Sequence, residues 1–302
     1  MEITRNYLMR KFRDYYLRVD LNLPRDFESR EWAFVPLEHF PEFVMRRHIA
    51  ISSELDLKAY VIENVPAHVY YSTAYYSDPS AEMDKKGWLG ADLIFDIDAD
   101  HMPRPSLKAA KLEVLKLVKI LTDDFGVDEN DIEVVFSGRR GYHVHVYDER
   151  FRELESAERR EIVDYLTLTG LKGGKQMERI KNCAEKLRSK YGDRAFEICS
   201  SKLRVHIDPP VTADIKRLIR LPNSLHGKTG LRVTPVSIDR LEDFDPSIDA
   251  VVFGEERVKV RLLKRVKVKM MGCKFELEPG KANLPEYVAV YLICRGVALY
   301  GH

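Results

Sequence analysis

The chain has 302 residues, 45% of them apolar and 32% charged, with a formal net charge of +1 at neutral pH. This is the balance of a soluble globular protein, and no apolar run approaches the roughly 20 residues needed to cross a bilayer, so a membrane partner is not expected. The opening MEITRNYLMRKFRDYY mixes charges with aromatics, which excludes a signal peptide and makes a cytoplasmic location the expectation.

In chain order, Asn6 to Val19 reads as an amphipathic helix with Tyr7, Leu8, Phe12, Tyr15 and Tyr16 available for packing. REWAFVPL, VMRRHIAIS, AHVYYSTAYYS and DLIFDID are strand-like runs. Pro103 and Pro105 close that region, and Ser106 is placed to cap a helix ending near Phe125. DIEVVFSGRRGYHVHVYD reads as a strand, a glycine-bounded turn and a second strand. Residues 155–191 carry a helical pattern broken near GLKGGK, which predicts a helical insert, and RVHID begins a return to strands and loops. The class expected is α/β or α+β, with a mixed β-sheet core flanked by helices. Residues 1–302 are expected to form one domain, with a small helical subdomain at 155–192. Cys183, Cys199, Cys273 and Cys294 include no CxxC pair, so all four are expected to be reduced and structural.

Three segments carry chemistry. In LIFDIDADH, alternation along a strand puts Asp96, Asp98 and Asp100 on one face, where like charges repel unless a cation compensates them. Hard divalent ions choose such carboxylate oxygens. In SGRRGYHVHV, Gly138 and Gly141 permit close backbone approach, and Arg139 and Arg140 supply the forked donors suited to phosphate. His143, nearer the turn than His145, is the one placed to meet a ligand. In VHIDPPVTADIKRLIRLPNSLHGKTG, Asp208 follows a strand-like run, and Lys216, Arg217, Arg220, His226 and Lys228 make a basic loop. GKTG is not a phosphate-binding P-loop, because Pro222 stands where that motif needs glycine. Farther on, RVKVRLLKRVKVK (257–269) alternates basic and apolar residues without an acid, as a strand tracking a phosphate backbone or a solvated edge strand would.

Together, the paired acids, the Ser-Gly-Arg-Arg-Gly turn and the late acid followed by RLIRLPNSLHGKTG resemble the small, catalytic subunit of archaeal and eukaryotic DNA primases. REWAF (30–34), RRH (46–48) and DYLTLTGLKGG (164–174) extend the likeness over residues from about 10 to 245. The resemblance implies catalytic, metal-holding acids at Asp96, Asp98 and Asp208, with two Mg²⁺ or Mn²⁺ ions as cofactor in a two-metal mechanism. It implies triphosphate contacts from Ser137, Arg139, Arg140, His143, Arg220 and His226, with Glu31 and Arg46 lining the nucleotide site. It further implies template-directed nucleotidyl transfer on single-stranded DNA, making RNA or DNA primers from NTPs or dNTPs, and a large-subunit partner carrying an iron–sulfur domain. Many relatives carry a Cys/His zinc knob before the arginine turn; residues 102–136 hold neither residue type here, so no structural zinc is expected. A repair primase-polymerase, a metal-dependent phosphohydrolase and a non-catalytic nucleic-acid-binding module are the alternative readings.

Overall fold

A computed structural model describes residues 1–301, His101 by its backbone alone, and its fold class is α+β. The strands are shared among several small sheets instead of one, and two compact units form: residues 1–89, 135–139 and 216–302, and residues 90–134 with 140–215.

The first unit opens with α1 (Glu2–Arg18), which buries Tyr7, Leu8, Phe12, Tyr15 and Tyr16 as one stripe. β1 (Trp32–Pro36) and β2 (Arg46–Ile49) follow, then α2 (Glu54–Asn64), capped by Ser53, whose hydroxyl accepts from Asp56 N at 3.1 Å. β3 (Pro66–Ser72), β4 (Ala74–Tyr76) and β5 (Trp88–Ala91) complete the N-terminal part. One face of β1 and β3 presents Trp32, Phe34, Val69 and Tyr71 in register, and Phe34 lies 4.2 Å from Tyr60 of α2, ring to ring.

In the second unit β6 (Leu93–Asp98) is followed by α3 (Leu107–Phe125), where Ser106 accepts from Ala109 N at 3.0 Å and so caps the helix at the expected residue. β7 (Ile132–Phe136) and β8 (Gly141–Val146) flank the arginine turn, and the unit's sheet runs β7-β8-β6. Leu93, Phe95 and Ile97 pair across with Val146, Val144 and Tyr142, an apolar face that packs on α3. The helical stretch resolves into α4 (Ser156–Thr167), α5 (Gly174–Tyr191) and α6 (Ala195–Leu203), then the short α7 (Pro209–Ala213). Buried Arg159 of α4 donates to the carbonyls of Leu154, Asp92 and Ala91 at 2.8, 2.9 and 2.7 Å, tying the helix to the approach to β6.

The remaining elements belong to the first unit: β9 (Leu218–Arg220), which extends the sheet to β2-β1-β3-β9, then β10 (Thr234–Val236) and α8 (Pro246–Asp249). β11 (Arg257–Leu262), β12 (Val266–Met270), β13 (Cys273–Leu277), β14 (Gly280–Pro285), α9 (Glu286–Cys294) and β15 (Ala298–Tyr300) close the chain. The basic run 257–269 is therefore two strands in two sheets, and its first half is the central strand of β14-β11-β15, not an edge.

Two further expectations are corrected. Residues 204–208 are extended but join no ladder. Cys183 and Cys199 are not reduced: they form a disulfide between α5 and α6, which pack together so that their Cα atoms lie 5.9 Å apart, within bridging distance. Cys273 and Cys294 are thiols. Among the described residues no helix is long and apolar enough to cross a membrane.

Candidate active site

β6 and β8 pair antiparallel with Asp96 opposite His143 and Asp98 opposite Gly141. Directly opposed residues share a face, so Asp96, Asp98 and His143 stand together on the face away from α3. The approach of the strands is close at the turn. A Cβ on Gly141 would lie 2.5 Å from the Ile97 carbonyl oxygen and 3.1 Å from Asp98 Cα, so only glycine fits here. Arg140 is held to the end of β6: its carbonyl accepts from Ala99 N at 3.0 Å, and its guanidinium pairs with Asp100 at 2.7 Å. Asp100 thus has a partner that the sequence did not disclose, and its own N–H donates to the Asp98 carboxylate at 2.9 Å.

The third acid arrives by a different route. Asp208 N donates to the Asp96 carbonyl at 2.8 Å, so the extended segment 204–208 meets β6 by its main chain. Asp208 is the N-cap of α7, yet its carboxylate makes no capping bond, because the first two helical positions are Pro209 and Pro210, which have no N–H to offer. α3 fixes the same segment: the Glu113 carboxylate accepts from His206 N at 2.9 Å and pairs with Lys116, which donates to the Arg204 carbonyl at 2.6 Å. Glu113 and Lys116 lie on an ordinary amphipathic helix, which carries no signal of this duty.

Among the described residues no group of three His, Cys, Asp or Glu side chains forms a ready metal cage. The donor chemistry of Asp96, Asp98 and Asp208 nevertheless fits a hard divalent cation: three carboxylates, the first two on one strand face, the third engaged in no cap.

The expected phosphate ligands Ser137, Arg139, Arg220 and His226 fall in the first unit, whereas Arg140 and His143 fall in the second; the division passes through the peptide bond between the two arginines. In the first unit Gly138 adopts φ +87°, and a Cβ there would lie 2.6 Å from His226 Cβ. Thr229 locks the contact by donating to the Gly138 carbonyl at 2.7 Å. The His226 ring meets His68 edge-on at 4.8 Å, and its Nδ1 accepts from Lys228 N at 3.2 Å. That bond leaves the proton of the neutral ring on Nε2. Burial, then the charge of Arg220, hold the His226 imidazolium pKa well below its ordinary value, and burial with Arg220 and Lys228 does the same to His68. Arg220 ends β9 opposite Tyr70, its guanidinium 5.2 Å from that ring, and its Nε has no hydrogen-bond partner among the described residues. Lys228 lies 5.6 Å from the ring of Phe43. The result is a cluster of cations around two neutral histidines, suited to an anion. His68 and Lys228 join it without having been singled out as ligands from the sequence.

Glu31 and Arg46 separate. Glu31 is fully buried and by alternation falls on the side of Tyr70 and Arg220. It accepts from Arg47 at 2.9 and 3.3 Å and from His48 N at 3.2 Å, with Lys86 Nζ 3.7 Å away. Arg46 instead turns to the α2 side, bonding Asn64 at 3.3 Å and Glu38. The register of β1 and β2 shifts between Trp32 and Phe34, and it is Arg47, not Arg46, that meets Glu31.

Comparison with known proteins adds the family. The family model for the DNA primase small subunit matches residues 95–238, which contain both acid segments and the arginine turn. A DNA primase small subunit, PriS, of Archaeoglobus fulgidus is 47% identical, and that of Methanococcoides burtonii 39% identical, each match covering 99% of both chains. Among solved structures, the polymerase domain of Mycobacterium tuberculosis ligase D in complex with DNA aligns over 79% of this chain and 83% of its own, with a TM-score of 0.45 and 17% identity. With full-length relatives at this level of identity, the chain belongs to the DNA primase small subunit family.

Proposed function

We propose that this chain is the catalytic subunit of a DNA primase, joining nucleotides on a single-stranded DNA template. The observation that carries the reading is the hydrogen bond from Asp208 to Asp96, which ties acids more than a hundred positions apart to one strand end.

Asp96, Asp98 and Asp208 would hold Mg²⁺ or Mn²⁺, which when bound lowers the pKa of a primer hydroxyl and stabilises charge on the leaving pyrophosphate. The protein's own groups do the rest. Arg139, Arg220 and Lys228 neutralise triphosphate oxygens, and Ser137 and His226 donate neutral hydrogen bonds, His226 through Nε2–H. Burial excludes water from Ser137 and His226 and strengthens their bonds, whereas Arg139 and Arg220 are half-buried and Lys228 is exposed. Arg140 exchanges Asp100 for phosphate when nucleotide enters, and His143, opposite Asp96, limits the room on the acid face. Glu31 keeps Arg47 oriented, so Arg47 takes the place expected of Arg46. The natural partners are a primase large subunit, the template strand and NTPs or dNTPs.

The test is incorporation of labelled ATP or dATP on poly(dT) with Mg²⁺ or Mn²⁺. Template-dependent products with equimolar pyrophosphate are expected. Release of orthophosphate without product would overturn the reading in favour of a phosphohydrolase.

A further inference from the structure

The outer face of the sheet β14-β11-β15 carries charge of one sign. β11 alternates exposed Arg257, Lys259 and Arg261 with buried Val258, Val260 and Leu262, whose side packs against α9. Strand periodicity sets the three cations about 7 Å apart along one face. Across the ladder Arg261 lies directly opposite Lys281, and Lys259 opposite Asn283. Like charges in direct opposition weaken a strand pair, so the arrangement is unfavourable until an anion covers it.

The neighbouring ribbon shows the contrast. In β12-β13, Lys267 pairs with Glu276 at 2.9 Å and Arg265 with Glu278 at 3.0 Å. Among the described residues, no carboxylate lies within ion-pair distance of Lys259, Arg261 or Lys281. One basic run in the sequence is thus partly paired with acids in its second half, where Lys269 still stands opposite Lys274, and carries no acid partner at Lys259 and Arg261 in its first. Among the described residues the three strands offer Leu299 and Pro285 as apolar side chains on this face, with Leu263 exposed just beyond β11, too few for the buried anchor of a stable protein interface.

We propose that this face binds the sugar-phosphate backbone of single-stranded nucleic acid, through charge and without reading bases. The contact uses none of the residues of the acid and cation clusters and does not depend on their role in catalysis. The test replaces Lys259→Thr, Arg261→Thr and Lys281→Thr together in the full chain, keeping strand propensity. Anisotropy of labelled oligothymidylate is followed across a salt series. Losing three phosphate contacts at about 0.7 each makes the slope of log affinity against log salt shallower by about 2, with affinity at low salt down roughly tenfold or more. The variant Lys259→Arg, Arg261→Lys, Lys281→Arg keeps the wild-type slope and shows that charge, not folding, is read. Asp98→Asn keeps it too, so a failure of the catalytic reading leaves a different signature. An unchanged slope in the threonine variant, or no binding by the wild type, overturns the proposal. Loss of poly-glutamate binding with oligothymidylate binding intact also overturns it and assigns the face to an acidic protein.

Discussion

Gly141→Ala tests how closely the acid strand is held. The added Cβ would sit 2.5 Å from the Ile97 carbonyl oxygen, where ordinary contact begins at 3.4 Å, so the strands must part by about 0.9 Å. Both clashing atoms are backbone, and neither can swing aside. The gap opens at the level of Asp98 and strains the adjoining bond from Ala99 N to the Arg140 carbonyl. Overpacking of this kind costs about 1–3 kcal/mol, which lowers the melting temperature by roughly 2–10 °C in a protein of this size. A misplacement near 1 Å at the reacting groups costs on the order of 100-fold in rate. Primer extension at saturating nucleotide should therefore fall about 100-fold in kcat, while KM for nucleotide, through the displaced and exposed Arg140, rises by no more than about fivefold. A variant with kcat within about twofold of wild type, despite a lowered melting temperature, would refute the argument that the position of the β6 acids limits the reaction.

Other consequences follow from the same geometry. Glu113→Ala releases residues 204–206 from α3, losing charged hydrogen bonds of about 1.5–3 kcal/mol; kcat for extension should drop roughly tenfold with nucleotide KM nearly unchanged. Asp100→Asn removes the competitor for Arg140, and because the pair is substantially exposed the gain is below about 1 kcal/mol, read as a KM for nucleotide up to about fivefold lower. His226 and His68 have folded pKa values below the unfolded value near 6.5, so the unfolded chain binds more protons between the two. Their contribution to stability is complete above that value and is lost as pH falls below about 6.5 towards the folded pKa. Urea midpoints between about pH 5 and 7.5 should show the decline, and His226→Gln should flatten it.

What the sequence discloses follows the reach of its rules. Strand alternation suffices to put Asp96 and Asp98 on one face, and an N-cap hydroxyl suffices to start α3 at Ser106. Both are local regularities. Alternation alone does not say which of Arg46 and Arg47 meets Glu31, because the β1–β2 register shifts between Trp32 and Phe34, and a one-residue shift turns a strand's side chains to the other face. The bond from Asp208 N to the Asp96 carbonyl was not legible, since it joins main-chain groups more than a hundred positions apart. The Cys183–Cys199 bond escaped for a related reason: spacing rules look for paired cysteines in sequence, whereas α5 and α6 create the pair by folding back. Glu113 and His68 carry no motif at all; their contacts arise only from tertiary structure.

The proposal that Asp96, Asp98 and Asp208 together form one divalent-metal centre is tested most directly by Mn²⁺ titration followed by electron paramagnetic resonance. Asp208→Asn and Asp98→Asn should each weaken Mn²⁺ binding at least on the order of 10- to 100-fold and abolish primer extension while the fold persists. Wild-type Mn²⁺ affinity in Asp208→Asn together with normal extension would contradict the account.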